Sequence, residues 1–358
     1  MAQIEKQDGQ INETALQNLV GKMVGDLGAV VSGALVVLGD RLGLYRALAE
    51  VGPADSTKLA KRAGLDERYV REWLANQAAS GYVNYEPSSG SFSMSAEQKA
   101  VFADPESPVA MTGGFYSAAS VYHDEPKVAE AFRTGAGVAW REHHDCLFCG
   151  TEKFFRPGYA ANLVQTWIPA LNGVQAKLET GAQVADIGCG HGASTIIMAK
   201  AFPKSKFTGF DLHPGSIERA GQCAAEAGLA NVTFATASAK DFPGRYDFIT
   251  TFDALHDMGD PVGAAAHARK SLKPDGAWMF VEPLAGDRLE ENLNPVGRVY
   301  YGFSTMVCTP SSRSQEIGLA LGAQAGEGRL REVMEKAGFR QFRRAAQTPF
   351  NFVLEVKP

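Results

Sequence analysis

The sequence predicts an α/β protein: a doubly wound sheet of seven strands whose last strand runs antiparallel, behind a helical front of winged-helix pattern. Three observations carry this. From residue 182 on, short apolar stretches alternate with helical ones. The first five, QVADIG, KFTGFD, VTFATA, YDFITTFD and AWMFVEP, are short and apolar, as buried parallel strands are. The last two, QFRRAAQ and FNFVLEVK, sit close together around Thr348 and Pro349, which fits an antiparallel pair at the end of the sheet.

The whole chain sets the bounds. Its 358 residues allow two or three domains. Hydrophobic residues make up 45% and charged residues 21%, a soluble globular balance. A net charge of −5 gives no global attraction to nucleic acid or to an anionic membrane. No basic segment followed by an apolar one opens the chain, so no signal peptide is expected. The longest apolar stretch, LGAVVSGALVVLG (27–39), is too short to span a bilayer, so no membrane partner is expected. Five scattered cysteines make no disulfide framework and suit a reducing cytoplasm. Three segments follow: a helical winged-helix domain over 1–104, a helical connector or cap over 105–180, and the sheet domain over 181–358.

Residues 1–12 are polar and should fray. Residues 14–50 read as helices. Leu16, Leu19, Val20 and Met23 recur at helical spacing, and the stretch then becomes apolar nearly all round. It is either a buried core helix or one that packs on a second subunit. In DSTKLAKRAGLDERYVREWLANQAASGYVNYEPSSGSFSMS (55–95), Asp55 or Ser56 caps a helix that stops at Gly64. Asp66 caps the next, whose apolar face carries Tyr69, Val70, Trp73 and Leu74, and Gly81 ends it. YVNYE and SFSMS flank a Pro-Ser-Ser-Gly turn and read as a hairpin. Such a unit binds DNA in many proteins. Here residues 1–100 hold ten Lys or Arg against twelve Asp or Glu, so the basic footprint is missing and a dimerisation role fits better.

Residues 105–180 are helical and rich in aromatics, interrupted early by Pro105, Pro108 and Pro126. They suit the wall of a substrate pocket, with Tyr116, Trp140, His144, Phe148 and Tyr159 as candidates and Tyr300 added from the far end of the chain. HHDCLFCG (143–150) pairs Cys146 and Cys149 at C-x-x-C spacing beside His143 and His144. A closed zinc site wants four ligands, usually two such pairs, and no second pair exists, so no metal is assigned.

In the sheet domain, ASTIIMAKAF, GSIERAGQCAAEAG, GAAAHARKSL and GRLREVMEKAG are the helices between the strands. A ligand belongs at the carboxyl ends of the strands. There ADIGCGHGAS (185–194) joins the first strand to the first helix. Gly188 and Gly190 allow a tight turn and close ligand approach, and Gly192 lets the helix start near the strand. Asp211 ends the second strand, where an acid can hold ribose hydroxyls. Asp186 lies two residues before the first glycine, where it can face a cationic amino group or order the loop. A dinucleotide pyrophosphate would be opposed by that acid, whereas S-adenosylmethionine carries an ammonium and no phosphate. Cys189 suits a small buried side chain, and His191 should face the loop surface without chemistry.

VADIGCGHGAS, GFD, FDALHDMGDP and LKPDGAWMFVEP resemble the successive motifs of class I S-adenosylmethionine-dependent methyltransferases. The winged-helix front and LHDMGDP resemble small-molecule O-methyltransferases that dimerise through such a domain. FFRPGY, NPVGR and QEIGLALGAQAGE extend the likeness, over nearly the whole chain, to a bacterial subgroup with mycobacterial members. The resemblance implies a Rossmann-like methyltransferase sheet, S-adenosylmethionine as cofactor, a small-molecule acceptor and a homodimer. It implies that Gly188, Gly190 and Gly192 approach the methionine part of the donor and that Asp211, followed by Leu212, holds the ribose. The family commonly has Asp near the adenine where Ser238 stands, so adenine recognition would fall to Ser238 and Ala239, with Phe242 as apolar cover. Phe252 and Asp253, ending the fourth strand, would line the donor pocket.

His256 matches the catalytic-base histidine of that family, and a histidine suits the removal of a proton from a phenol-like acceptor. Glu282, at the end of the fifth strand, and Glu327, in QAGEGR, would orient it. Asp257 either joins them or caps the next turn. Oxygen is the expected methyl acceptor, with sulfur or nitrogen as alternatives. Two other classes stay open: a winged-helix regulator whose sheet senses a ligand, opposed by the acidic front, and a nicotinamide dehydrogenase, opposed by Asp186 and the antiparallel end.

Overall fold

The computed structural model describes residues 11–358, so the frayed start expected before residue 11 lies outside the described residues. The chain divides into two compact units, one up to Phe115 and one from Tyr116 to Pro358.

The first unit begins with α1 (Glu13–Arg41), which Asn12 caps through its side chain. Then come α2 (Leu44–Val51), α3 (Ser56–Ala63) and α4 (Glu67–Ala79). The signals read from sequence act here. Asp55 accepts from the Lys58 N–H and Asp66 from the Arg68 N–H, and Gly64 closes α3 in the left-handed region. The strands β1 (Asn84–Glu86) and β2 (Ser91–Ser93) form the hairpin, and α5 (Ala96–Phe102) follows. Their core gathers Val36, Leu44, Leu48, Leu59, Trp73 and Leu74.

The reading of α1 as a buried core helix does not hold. Only Ser32, Val36 and Gly39 of it are buried. Gly39 lies under the Trp73 ring, whose Nε1 donates to the Leu35 carbonyl at 2.9 Å. Leu19, Val20, Met23, Val24, Leu27, Val30 and Val31 stay 50–63% exposed, an apolar surface this fold leaves uncovered. The helix is also long and apolar enough to cross a membrane by length and composition, because it extends well beyond the 27–39 stretch.

The helix α6 (Thr112–Thr134) leads to α7 (Asp145–Asn162) and α8 (Val174–Thr180). The sheet follows with β3 (Gln183–Ile187), α9 (Ala193–Ala201), β4 (Lys206–Asp211), α10 (Pro214–Glu226), β5 (Val232–Thr236), β6 (Tyr246–Phe252), α11 (Pro261–Ser271) and β7 (Leu272–Pro283). The helices α12 (Pro295–Phe303), α13 (Thr309–Arg313) and α14 (Gly326–Lys336) precede β8 (Gln341–Gln347) and β9 (Asn351–Lys357). The strand order is β5-β4-β3-β6-β7-β9-β8. The pairs among β3 to β7 are parallel, and β9 enters antiparallel between β7 and β8.

Neighbouring residues along each strand feed opposite faces. Ala185, Ile249 and Phe280 pack in one buried cluster, and Val184, Phe248 and Met279 in the other. Both faces are therefore closed, and the open ground is the carboxyl edge of the parallel strands.

Candidate active site

The turn after β3 is tied back into the sheet. Gly188 and Cys189 donate their N–H groups to the Phe210 carbonyl at 2.8 and 3.1 Å, and Gly190 donates to Asp211 Oδ2 at 3.0 Å. The other oxygen of Asp211 accepts from the His213 N–H at 2.8 Å, and burial pushes its carboxyl up. Gly190 and Gly192 both sit in the left-handed region, at φ 53° and 80°, but they face different things. A Cβ on Gly190 would meet nothing within 4 Å, whereas one on Gly192 would stand 2.7 Å from the Phe234 ring of β5. Gly190 thus borders open space, and Gly192 lets α9 start against the sheet.

Asp186 orders this turn. It is buried, and it accepts from the hydroxyls of Ser194 at 2.7 Å, Thr195 at 2.6 Å and Thr250 at 2.9 Å. Burial pushes its pKa up to about 6 although the three hydroxyls favour the charge. Of the two roles open to it, the geometry carries loop ordering.

A cavity of about 370 Å³ lies over this edge, within the range of small-ligand sites. Gly188, Gly190, Asp211, Leu212, Ser238 and Ala239 line one part, and Phe252 and Asp253 line its floor. Trp140, Phe148 and Tyr159 close it from the connector. Tyr159 donates to Asp253 Oδ2 at 2.9 Å, and Asn351 donates to Oδ1 at 2.7 Å. Burial, with the Glu282 charge nearby, pushes Asp253 up to about 7. His191 is on the wall rather than the loop surface, paired with Glu152 at 2.8 Å.

Other expected lining residues are elsewhere. Phe242 is core, packed against Phe210 and His267. Tyr300 is buried and spends its hydroxyl on the Phe350 carbonyl. His144 caps α7 through Cys146 N and stacks on His123, and Tyr116 lies under the Lys153 ammonium. Cys146 is half-buried and Cys149 exposed on the first turns of α7.

At the carboxyl ends of β6 and β7, His256 meets Glu282, its Nδ1 2.5 Å from Oε2, while Glu282 Oε1 accepts the Leu255 N–H at 3.0 Å. Strand pairing of Phe252 with Val281 sets this meeting. His256 Nε2 faces Asp257 Oδ1 at 3.3 Å, and Asp257 lines the cavity. Burial opposes a charge on His256, yet Asp257, Glu282 and Cys308 outweigh it and hold its pKa well above the ordinary value. Glu327 is corrected: its oxygens are taken by Arg331 at 2.9 Å and Arg344 at 2.6 Å. Its place on the first turn of α14 puts Arg331 one turn on and the edge strand β8 beside it, so the acids that meet His256 are Glu282 and Asp257.

One network had no sequence signal. Buried His143 joins Asp124 Oδ2 at 3.0 Å through Nδ1 and Ser311 Oγ at 3.3 Å through Nε2, and Ser311 reaches the cavity wall. Burial opposes the charge on Asp124, but the His144 N–H, Lys127 and His143 hold its carboxyl below the ordinary range.

Residues 178–338 match a family model described as a methyltransferase domain. Over that stretch the chain is similar to a methyltransferase domain. Residues 30–103 match a second model, the Rv2258c-like winged HTH domain. The chain resembles the ubiquinone biosynthesis O-methyltransferase of Paracidovorax citrulli, 31% identical over 134 residues, which is 36% of this chain and 53% of that one. It resembles aklanonic acid methyltransferase DauC of a Streptomyces species, 35% identical over 109 residues, 29% of this chain and 50% of that one. The chain therefore spans about half the length of these curated relatives. Whole-chain likeness comes from solved structures. The mitomycin 7-O-methyltransferase MmcR superposes with a TM-score of 0.68 at 20% identity, over 96% of this chain and 100% of its own. Human N-acetylserotonin methyltransferase, solved in complex with SAM, does so at 0.67 and 18%, over 98% and 99%. At these identities the likeness is one of fold.

Proposed function

We propose that this protein transfers a methyl group from S-adenosylmethionine to a hydroxyl of a small molecule, with His256 as the general base. The observation that carries the reading is the buried Glu282–His256 pair beside the cavity that Gly190 and Asp211 border. The residues fit the donor. Gly190 offers backbone next to open space, and Asp211 stands at the end of β4, where ribose hydroxyls are held in such sheets. The sulfonium supplies a methyl that is ready to leave, so alignment is the main task of the protein, and positioning is worth about 7–11 kcal/mol in such reactions.

Gly188, Gly190, Asp211 and Leu212 hold the donor, with Ser238 and Ala239 at the adenine side. The aromatic walls of Trp140, Phe148 and Tyr159 exclude water and hold an apolar acceptor. Asp253, whose pKa of about 7 reflects burial, suits a cationic neighbour, because a positive charge there favours its ionised form. Glu282 accepts from Nδ1–H of His256 and points Nε2 toward Asp257 and the cavity, and the two acids make that nitrogen a stronger base once its own proton has left. The acceptor hydroxyl gives its proton to Nε2, directly or through Asp257, as its oxygen bonds the methyl carbon and the carbon–sulfur bond breaks to leave the neutral thioether S-adenosylhomocysteine. The relatives named as O-methyltransferases support oxygen as the acceptor atom.

A second copy of the chain covers the apolar face of α1, and the winged-helix unit serves dimerisation rather than DNA; the acidic balance of that unit supports this. The deciding experiment is a labelled-methyl assay against pooled phenols, thiols and amines, read by mass spectrometry. Methylated phenols support the reading. Tight NAD binding without donor binding would sink it.

A further inference from the structure

We propose that His256, Asp257 and Cys308 form a binding site for one zinc ion, with a coordination position left open toward the cavity. Their donor atoms, Nε2, a carboxylate oxygen and Sγ, all lie within 4.8 Å of one another. The set of nitrogen, oxygen and sulfur is one that zinc takes, and three protein ligands plus an open position is the arrangement of reactive zinc sites. With zinc–ligand bonds of roughly 2.0–2.3 Å, tetrahedral donors stand about 3.3–3.7 Å apart. The His256–Asp257 pair is already at 3.3 Å.

Three further observations point to an ion. Asp257 Oδ1 is shielded from solvent, and its contact with His256 Nε2, at 3.3 Å, is too long for a good hydrogen bond. A buried carboxylate oxygen left so is costly, and a cation would satisfy it. Glu282 holds Nδ1 of His256 at 2.5 Å, as the outer carboxylate of a metal-binding imidazole does, and leaves Nε2 facing Asp257. Cys308 ends a π-helical turn, Ser304–Cys308, a widening that recurs at functional sites. Its thiol is buried and stands beside the other two donors. Coordination uses the neutral imidazole, the carboxylate and the thiolate, so the Nε2 proton of His256 and the thiol proton both go to solvent as zinc enters. Zinc there occupies the lone pair that proton removal needs, so the loaded protein is silent in methyl transfer. That last point rests on the proposed role of His256.

The test uses the full chain stripped with chelator and desalted, then titrated with Co²⁺ and with Zn²⁺. The wild type is expected to take up one equivalent of cobalt with the visible bands of a four-coordinate ion and a near-ultraviolet thiolate charge-transfer band, both lost on adding zinc. Cys308→Ser should lose the charge-transfer band and bind at least tenfold more weakly. A Cys146→Ser/Cys149→Ser double variant should keep both signals. No uptake by the wild type, or a band that survives Cys308→Ser, overturns the site. Methyl transfer by the metal-free wild type is scored separately: its absence counts against the proposed function, while the cobalt spectrum decides the site.

Discussion

Adding one methyl group at Gly190 and, separately, at Gly192 separates donor contact from packing within a single turn. Both residues hold left-handed φ, which costs an alanine about 1–2 kcal/mol. At Gly190 nothing more is lost in the protein, because the new Cβ would have no neighbour within 4 Å. At Gly192 the Cβ would meet Phe234 at 2.7 and 2.8 Å and Ala220 at 3.1 Å. Overpacking of that kind adds about 1–3 kcal/mol. Urea unfolding should therefore place Gly190→Ala about 1–2 kcal/mol and Gly192→Ala about 2–5 kcal/mol below the wild type. Donor affinity should order the other way per unit of stability. Gly190→Ala puts its methyl into the space the nucleoside needs and should weaken S-adenosylhomocysteine binding at least tenfold, about 1.4 kcal/mol, by calorimetry. Wild-type affinity in Gly190→Ala would remove this turn from the donor site. Equal stability of the two variants would refute the packing role of Gly192.

His256→Gln should keep donor affinity and lower kcat by about 10²–10⁴, and full activity would remove it as the base. Asp186→Ala strands the buried hydroxyls of Ser194 and Thr195, leaves Thr250 only its longer bond to the Ala185 carbonyl, and should cost several kcal/mol, at about 1–3 for each stranded group in urea unfolding; a loss under about 1 kcal/mol would mean those bonds are not holding the turn. The same carboxylate has a pKa raised from 3.8 to about 6. Its native form takes a proton more readily than its unfolded form, so its contribution to stability is most favourable in acid and falls as pH rises to about 6, by up to about 3 kcal/mol. Asp186→Asn should lack that slope when urea stabilities at pH values of about 4 and 7 are compared with the wild type, and an unchanged slope would contradict the burial of its charge. Val24→Glu with Val31→Glu, both on the exposed face of α1, should halve the mass seen in sedimentation while leaving helix content intact. An unchanged mass would place the dimer contact elsewhere.

Much of the fold was legible because its signals are local. Asp55, Gly64 and Asp66 satisfy backbone groups within a few residues of themselves, and the inner strands announce burial on both faces, whereas VTFATA, expected to be buried, forms the largely open edge strand β5. The glycine turn and Asp211 were legible for the same reason, and the His256–Glu282 pair because adjacent parallel strands bring their ends together. What depends on the direction of a side chain was not. Phe242 looked like a lid over adenine and turned inward to the core, and His191 turned from the surface to the wall. Glu327 carries an acid in the expected region, but two arginines in tertiary reach claim it. Asp124, His143 and Ser311 come from three distant stretches, and no spacing rule connects them.

The walls of the cavity have two origins with different tolerance for change. Ile187 and Asp211 belong to strand ends pinned by backbone ladders, and Gly188 in the turn is tied to the Phe210 carbonyl at 2.8 Å. Trp140 and Phe148 belong to helical segments outside those ladders. Their side chains can be exchanged at small cost in stability, since partly exposed positions are lenient. Selection for a new acceptor can therefore rework one side of the chamber while the donor side stays fixed, which makes this architecture easy to diversify and hard to break.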